Sequence, residues 1–326
     1  MDAFTVVLTS GIHPKARAFL EAVATVRVCP DTEPDTLRNS VADADALLVR
    51  HLLPDDILDH GPKLRILARH GVGLDFIPVA RATQKGVLVT NAPGSNTQGV
   101  VEHTMGAVLN LARNYCTLDA NVRKGNWGIR SAMEGMELHG RSMGVLGLGK
   151  IGMGVANAAH FGFGMRIFGY DPFLKRFPPH ITPATVGELF RACDVLSLHV
   201  PLTDETRDMV NAALLAGMKP GALLVNACRG EVVVEKDLVD ALRSGPLGGA
   251  ALDVFPEEPL PAAHPYCSLP NVLLTPHSAA LTEESILRMG EMSCGDIVRV
   301  LAGEKPLYGV NMEIWPDFAG RHGCKP

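Results

Sequence analysis

The sequence predicts an α/β protein built on doubly wound parallel sheets. Three observations lead there. Short apolar runs alternate with amphipathic stretches from end to end. The runs lack the apolar-polar alternation of half-exposed strands, which suits parallel strands buried on both faces. The chain has 326 residues, more than one core usually sustains, so two domains are expected.

In chain order, residues 4–9, 46–49, 65–68 and 87–90 read as strands, being brief, rich in Val, Leu and Ile, and followed by turn or cap residues. Residues 14–24 and 54–59 read as helices between them. From Gly99 to about Asn121 the pattern predicts one long helix, with Val101, Met105, Val108 and Leu109 near helical spacing. A polar stretch with Gly125 and Trp127 follows, up to Gly140. A second alternation then begins. Residues 141–146, 166–170, 195–200, 222–226, 250–254 and 272–275 are strand candidates, and 151–160 and 235–244 are crossover helices. Residues 282–301 predict a further long helix, with Thr282 as N-cap and Glu284 close behind. From about Ala319 the chain reads as a frayed tail.

Hydrophobic residues make up 47% and charged residues 20%, the balance of a soluble globular protein. The net charge of −5 gives no support to nucleic-acid or anionic-membrane binding by bulk charge. Met1-Asp2-Ala3-Phe4 lacks the basic region and apolar run of an export signal. No uninterrupted apolar stretch of about 18–20 residues offers a membrane span. Seven scattered cysteines without a C-x-x-C predict neither a disulfide framework nor a zinc site, and a reducing, cytoplasmic setting is expected.

Gly147-Leu148-Gly149-Lys150-Ile151-Gly152 is a G-x-G-x-x-G. Alone it is a weak signal, but here it follows the apolar run 143–146 and opens a helix. Gly147 permits the tight turn, Gly149 lets backbone approach a pyrophosphate, and Gly152 allows close helix–strand packing. The helix N-terminus adds free N–H groups and positive dipole. Asp171 ends the next strand, where a carboxylate accepts both adenosine ribose hydroxyls and repels the 2′-phosphate of NADP. The plainer alternative is a turn Asp before Pro172. The whole βαβ context favours NAD.

Three later strand ends carry candidate chemistry. Asn226-Ala227-Cys228-Arg229-Gly230 places a guanidinium, suited to clamp a carboxylate, at the edge where α/β ligands bind. Asp253 ends another strand run, with Glu258 in its loop, and His277 ends a third. A lone Arg or His there is more often structural. Their convergence supplies a cation for a carboxylate, a base near pH 7 and a carboxylate to orient that base.

These segments closely resemble the D-2-hydroxyacid dehydrogenase family, especially its phosphoglycerate dehydrogenase branch. The resemblance rests on Arg69-His70-Gly71-Val72-Gly73-Leu74-Asp75, Asn91-Ala92-Pro93-Gly94-Ser95-Asn96, Val101-Glu102-His103-Thr104, the glycine fingerprint and His199-Val200-Pro201-Leu202-Thr203. Residues 226–230, 253–259 and 275–277 extend it over nearly the whole chain. It implies two Rossmann-like domains with the active site in the cleft between them. Residues 1–98 and 283–326 would form the substrate domain, and 99–282 the NAD domain. It implies catalytic roles for Arg229, Glu258 and His277. Arg229 would bind the substrate carboxylate, His277 would be the acid/base, and Glu258 its partner. Asp253 would hold the nicotinamide carboxamide. Val200, Pro201, Ala227, Cys228 and Ala280 would line the cofactor beside Lys150 and Ile151. Arg69 and the N–H groups of Val72 and Gly73 would contact substrate. It further implies a homodimer through the cofactor domains, built on the helix from Gly99 and the segment around Trp127.

Some residues depart from the family pattern. Ser278-Ala279-Ala280 stands where a Gly-containing stretch is common, and His51 and His70 stand where small residues are common. The C-terminal regulatory domain of some relatives is not expected, since the chain ends near residue 326. Formate dehydrogenases pair the catalytic His with Gln, which Glu258 argues against. An NAD-sensing corepressor-like protein on the same fold is the alternative function. The resemblance leaves open whether the hydroxy acid is 3-phosphoglycerate, hydroxypyruvate, glyoxylate or another.

Overall fold

The computed structural model describes residues 4–324. Residues 1–3, on which the expectation of no export signal partly rests, lie outside the described residues. The chain divides into two compact units. One comprises the residues up to Asn96 together with those from Leu281 onward; the other is Thr97–Ala280.

The first unit is built on five parallel strands: β1 (Phe4–Leu8), β2 (Ala24–Val28), β3 (Ala46–Val49), β4 (Ile66–Arg69) and β5 (Leu88–Thr90). Their spatial order is β2-β1-β3-β4-β5, a doubly wound arrangement whose switch point lies between β1 and β3. Successive residues feed opposite cores, as a period of two requires. Val6, Leu8, Ala46, Leu48, Ile66, Ala68 and Leu88 pack into one cluster. Val7, Leu47, Val49, Leu67 and Val89 pack into the other. This is the physical reason for the continuous apolar runs.

The second unit holds β6 (Ser142–Leu146), β7 (Arg166–Tyr170), β8 (Ile181–Pro183), β9 (Val195–Leu198), β10 (Ala222–Asn226), β11 (Leu247–Leu252) and β12 (Val272–Leu274). The order is β12-β11-β10-β9-β6-β7-β8, all parallel. Its switch point lies between β6 and β9. Two cores again cover the two faces, Leu146, Leu196, Leu198, Leu224 and Leu252 on one side and Met143, Val145, Val195, Val225 and Ala251 on the other.

The structure corrects several sequence expectations. The long helix after Gly99 is two helices, Thr97–Arg113 and Tyr115–Arg123. Asn114 separates them with φ 55°, a left-handed conformation that Asn tolerates better than most residues. The frayed tail is absent within the described residues: Trp315–His322 is a helix, and Phe318 is fully buried against the first sheet. The helix expected at 54–59 is the short Ile57–His60. Strands β2 and β8 are not marked by the sequence pattern. Both lie at sheet edges, where fewer apolar residues are needed. The helix Glu283–Leu301 keeps Thr282 as N-cap, its hydroxyl accepting the Ser285 N–H at 3.1 Å. No helix among the described residues is long and apolar enough to cross a membrane.

In the C-terminal return one buried polar residue, Asp296, fixes the turn after the long helix, and another, Asn311, ties the return to β5. Asp296 accepts the N–H groups of Leu307 and Tyr308 at 2.7 and 3.0 Å. Asn311 accepts the Val89 N–H at 2.8 Å and donates to the Val87 carbonyl at 2.9 Å and to Thr83 Oγ1 at 3.1 Å. Replacing Asn311 with Ala leaves two buried backbone groups of β5 and its approach unpaired. We expect a loss of about 2–4 kcal/mol, measured in urea as a lower midpoint with an unchanged slope. An unchanged midpoint would show that the return is held by apolar packing alone.

Candidate active site

Parallel register places six strand ends of the second sheet in one row. Tyr170 pairs with Leu146, Leu146 with Leu198, Leu198 with Asn226, Asn226 with Leu252, and Leu252 with Leu274. The next residue along each strand is therefore Asp171, Gly147, His199, Ala227, Asp253 or Thr275. Ligands of open α/β sheets bind along such an edge.

At the switch point the glycine turn is forced by close backbone contact. Gly147 has φ 91°, and a Cβ there would lie 2.5 Å from the His199 carbonyl oxygen. A Cβ on Gly152 would lie 1.9 Å from the Gly147 oxygen. Gly149 caps the helix Lys150–Asn157, and a Cβ on it would meet nothing within 4 Å. The opening turn at Lys150 and Ile151 thus carries N–H groups without intrahelical acceptors beside open space. Asp171 is oriented by the backbone, its two oxygens accepting the Leu148 and Phe173 N–H groups, each at 2.9 Å. Val200 packs over Gly147, and the Pro201 carbonyl accepts the Thr206 hydroxyl at 2.6 Å.

After β10, Asn226 shapes the next turn. It is 1% exposed, and the motif 226–230 marks its position but not its role. Its Oδ1 accepts the Cys228 N–H at 3.1 Å, and its Nδ2 donates to the Arg229 carbonyl at 2.8 Å. Arg229 donates to the Cys228 carbonyl at 2.5 Å. A Cβ on Gly230 would lie 2.2 Å from the Phe255 carbonyl carbon, so the loop after β11 packs directly on this turn. Burial pushes the Cys228 thiol up to about 11, which leaves it protonated and unsuited to nucleophilic chemistry at neutral pH. Ala227 and Ala280 are partly buried in the same row of loops.

The candidate acid/base pair, His277 and Glu258, lies in the loops after β11 and β12. His277 Nδ1 lies 2.8 Å from Glu258 Oε2. The other Glu258 oxygen accepts the Phe255 N–H at 3.0 Å. Burial alone would raise the Glu258 pKa. The hydrogen bonds from His277 and Phe255, with the charges of His277 and Arg229, outweigh it and hold the carboxyl below its ordinary range. His277 has φ 49°, the left-handed region.

Asp253 maintains that conformation. Its carbonyl accepts the His277 N–H at 2.8 Å. Its carboxylate, 2% exposed, accepts Thr275 Oγ1 at 2.6 Å, the Ser278 N–H at 2.8 Å and the Ala279 N–H at 2.9 Å. His103 Nε2 approaches from the helix Thr97–Arg113, 3.4 Å from Thr275 Oγ1. Sequence reasoning missed the cluster of Asp253, Thr275, Ser278 and His103, because His103, Asp253 and the 275–278 turn are far apart in the chain. His199 is partly buried beside Ser197 Oγ at 2.8 Å, and desolvation lowers its pKa to about 4, so it stays neutral.

In the first unit, the N–H groups of Val72 and Gly73 have no backbone partner among the described residues. Arg69 donates to the carbonyls of Gly73, Val49 and His70 at 3.0, 3.0 and 3.2 Å and stacks over Phe76 at 4.5 Å. Its donors thus fasten the loop that carries those N–H groups.

Residues 105–279 match the model of the D-isomer specific 2-hydroxyacid dehydrogenase NAD binding domain. The D-3-phosphoglycerate dehydrogenase of Methanocaldococcus jannaschii is 39% identical over 321 residues, covering 96% of this chain; the chain spans 60% of that relative's length. The glyoxylate reductase of Aeropyrum pernix is 39% identical over 323 residues, covering 95% of this chain and 96% of the relative. The crystal structure of the TT0316 protein from Thermus thermophilus superposes with a TM-score of 0.87 at 33% identity, covering 94% of this chain and 100% of the other.

Proposed function

Because the chain belongs to the D-isomer-specific 2-hydroxyacid dehydrogenase family, we propose that it is an NAD-dependent enzyme interconverting a small D-2-hydroxy acid and its 2-oxo acid. The observation that carries this reading is the 2.8 Å His277–Glu258 pair, held in the same row of strand ends as Arg229 and the glycine turn. A non-catalytic NAD sensor does not need such a pair, and no observation favours that alternative.

The second unit fits a dinucleotide. Gly147, Gly149, Lys150, Ile151 and Gly152 offer an open helix N-terminus to a pyrophosphate. Asp171 presents a pre-oriented carboxylate to the ribose hydroxyls. Val200, Pro201, Ala227, Cys228 and Ala280 line the path toward the acid/base pair. When bound, the nicotinamide ring supplies or accepts the hydride at substrate C2. Arg229 holds the substrate carboxylate and polarises the C2 oxygen. His277 gives a proton to that oxygen in reduction and removes it in oxidation. Glu258 holds the ring through Nδ1, so Nε2 is the nitrogen that exchanges the proton. Asp253 sets the His277 loop, and its Oδ2 retains accepting capacity for the carboxamide. The N–H groups of Val72 and Gly73, on a loop that Arg69 secures, suit a carboxylate oxygen.

The C-terminal end of β3 informs the substrate class. Arg50 donates to Ser10 Oγ at 3.2 Å and to the Gly11 carbonyl, with His51 beside it. No carboxylate among the described residues pairs with Arg50. A second anionic group on the substrate suits this cation, as 3-phosphoglycerate would have; hydroxypyruvate and glyoxylate are the smaller candidates. An NADH oxidation screen over 2-oxo acids, with and without a distal phosphate, tests the activity. No turnover of any 2-oxo acid would overturn it. The scattered unpaired cysteines support a cytoplasmic setting.

Assembly as a homodimer accounts for a part of the second unit with no core of its own. The helix Tyr115–Arg123 has no buried residue, and Trp127 is 70% exposed. Exposed aromatic residues in such a group are typical interface anchors. Light scattering at micromolar concentration should report twice the chain mass, with Trp127→Ala shifting it toward the monomer. A monomeric wild type would refute the dimer.

The Asp171 carboxylate should make kcat/KM higher with NADH than with NADPH, since a 2′-phosphate would meet like charge. Equal values would sink that role for Asp171.

His277→Ala should lower kcat by roughly 10²–10⁴-fold with NADH binding intact. Glu258→Gln keeps the shape but removes the carboxylate that holds Nδ1, and should also lower kcat with NADH binding intact. An active His277→Ala enzyme would show that the proton comes from another group.

A further inference from the structure

The N-terminal edge of the five-stranded sheet, opposite the edge that carries Arg50 and Arg69, gathers five cationic or potentially cationic side chains. Lys63 and Arg65 precede β4, Lys85 precedes β5, and Arg321 and His322 end the last helix. All five line one hollow of ≈ 540 Å³. A second hollow of ≈ 650 Å³ adjoins it and shares Lys85, Gly86 and Arg321.

Two of these cations rest on groups that carry no charge, and of the two only Arg65 also has a carboxylate within ion-pair reach. Arg321 Nη2 donates to the Gly86 carbonyl at 2.8 Å. Gly86 has φ 68°, and a Cβ on it would lie 2.1 Å from that nitrogen, so the guanidinium lies directly on bare backbone. Arg65 is stacked over the Phe4 ring at 5.1 Å. His322 rests on the Phe318 ring at 4.5 Å.

The nearby carboxylates are largely committed. Asp59 pairs with both Arg81 and Lys85. Asp45 accepts the Thr5 N–H at 2.9 Å and stands 3.9 Å from Arg65. Among the described residues no carboxylate forms an ion pair with Lys63, Arg321 or His322. Burial, then the charges of Arg65 and Arg321, lower the His322 pKa, so the cations are close enough to repel. Like charges held together around a hollow are costly unless an anion compensates them.

We propose that this hollow is a binding site for a small phosphate-class anion, either inorganic phosphate or the phosphate group of a small phosphomonoester, with Arg321, Arg65 and Lys63 as its principal ligands. Forked guanidinium donors suit phosphate oxygens, and Lys63 adds a mobile point charge. The site lies at the opposite end of the strands from Arg50, so it is separate from the substrate edge. It does not depend on the proposed activity.

The test is calorimetric titration of the full chain with inorganic phosphate and with glycerol 3-phosphate, against sodium chloride at matched ionic strength. Hydrogen exchange read by mass spectrometry locates the binding. Phosphate should protect the peptides over residues 61–65 and 315–322. Lys63→Gln and Arg321→Gln should each weaken binding by about tenfold, the scale of one charge-assisted contact. Arg321→Gln also removes the tie between the last helix and Gly86. Lys63 makes no hydrogen bond or ion pair among the described residues, so Lys63→Gln tests the site without that complication. Binding of glycerol 3-phosphate alone would support the site and identify a phosphomonoester as its ligand. Binding of neither probe, an equal response to chloride, or protection confined to residues 46–52 would overturn the proposal.

Discussion

The parallel register of the seven-stranded sheet is the constraint on which the candidate site depends. Because neighbouring strands run the same way, the residue after each strand falls on the same edge. Leu146, Leu198, Asn226, Leu252 and Leu274 are mutually aligned, so a slip of one residue in any pair would displace a functional group by a strand step and turn it to the other face. The two cores prevent that slip. Each strand residue packs on one face or the other, and the wrong register would exchange the partners of every one of them.

Within that frame the reactive geometry is kept by hydrogen bonds to backbone. His277 adopts a left-handed conformation that costs a non-glycine residue of order 1–3 kcal/mol. Asp253 offsets this through its carbonyl and through a carboxylate shared by Thr275, Ser278 and Ala279. Glu258 is fixed in turn by the Phe255 N–H. Gly230 and Asn226 bring the Arg229 turn against the same loop. These bonds within the chain fix the orientation that the acid/base role proposed for His277 needs.

The first unit uses the same architecture with different chemistry at its two edges. Arg50 and the Arg69-secured loop occupy the C-terminal edge. At the N-terminal edge the last helix adds Arg321 and His322 to Lys63, Arg65 and Lys85, and Asn311 ties the returning chain to β5 and its approach. A chain that leaves a unit and returns only after the whole of Thr97–Ala280 is placed there by that tie together with the packing of Phe318 and Trp315.

Much was legible in the sequence because it is written locally. The apolar runs followed from burial on both faces. The turn at Gly147, the cap at Thr282 and the carboxylate at Asp171 are each specified by a few adjacent residues. The grouping of Arg229, Glu258 and His277 was inferred from their strand-end positions, and the hydrogen bond between the last two has the expected partners. Local pattern failed at Asn114, where one residue's φ splits an otherwise continuous helical run. It failed for β2 and β8, edge strands with little burial to impose a pattern, and at residues 315–322, where helix comes from docking Phe318 and Trp315. It also missed the role of Asn226 and the cluster of Asp253, Thr275, Ser278 and His103, whose members meet only after the strands align. Sequence alone determined which residues are able to do chemistry, since residue type and strand-end position are local properties. Tertiary structure alone decided which of them share a hydrogen bond, because that depends on register and loop packing between segments distant in the chain.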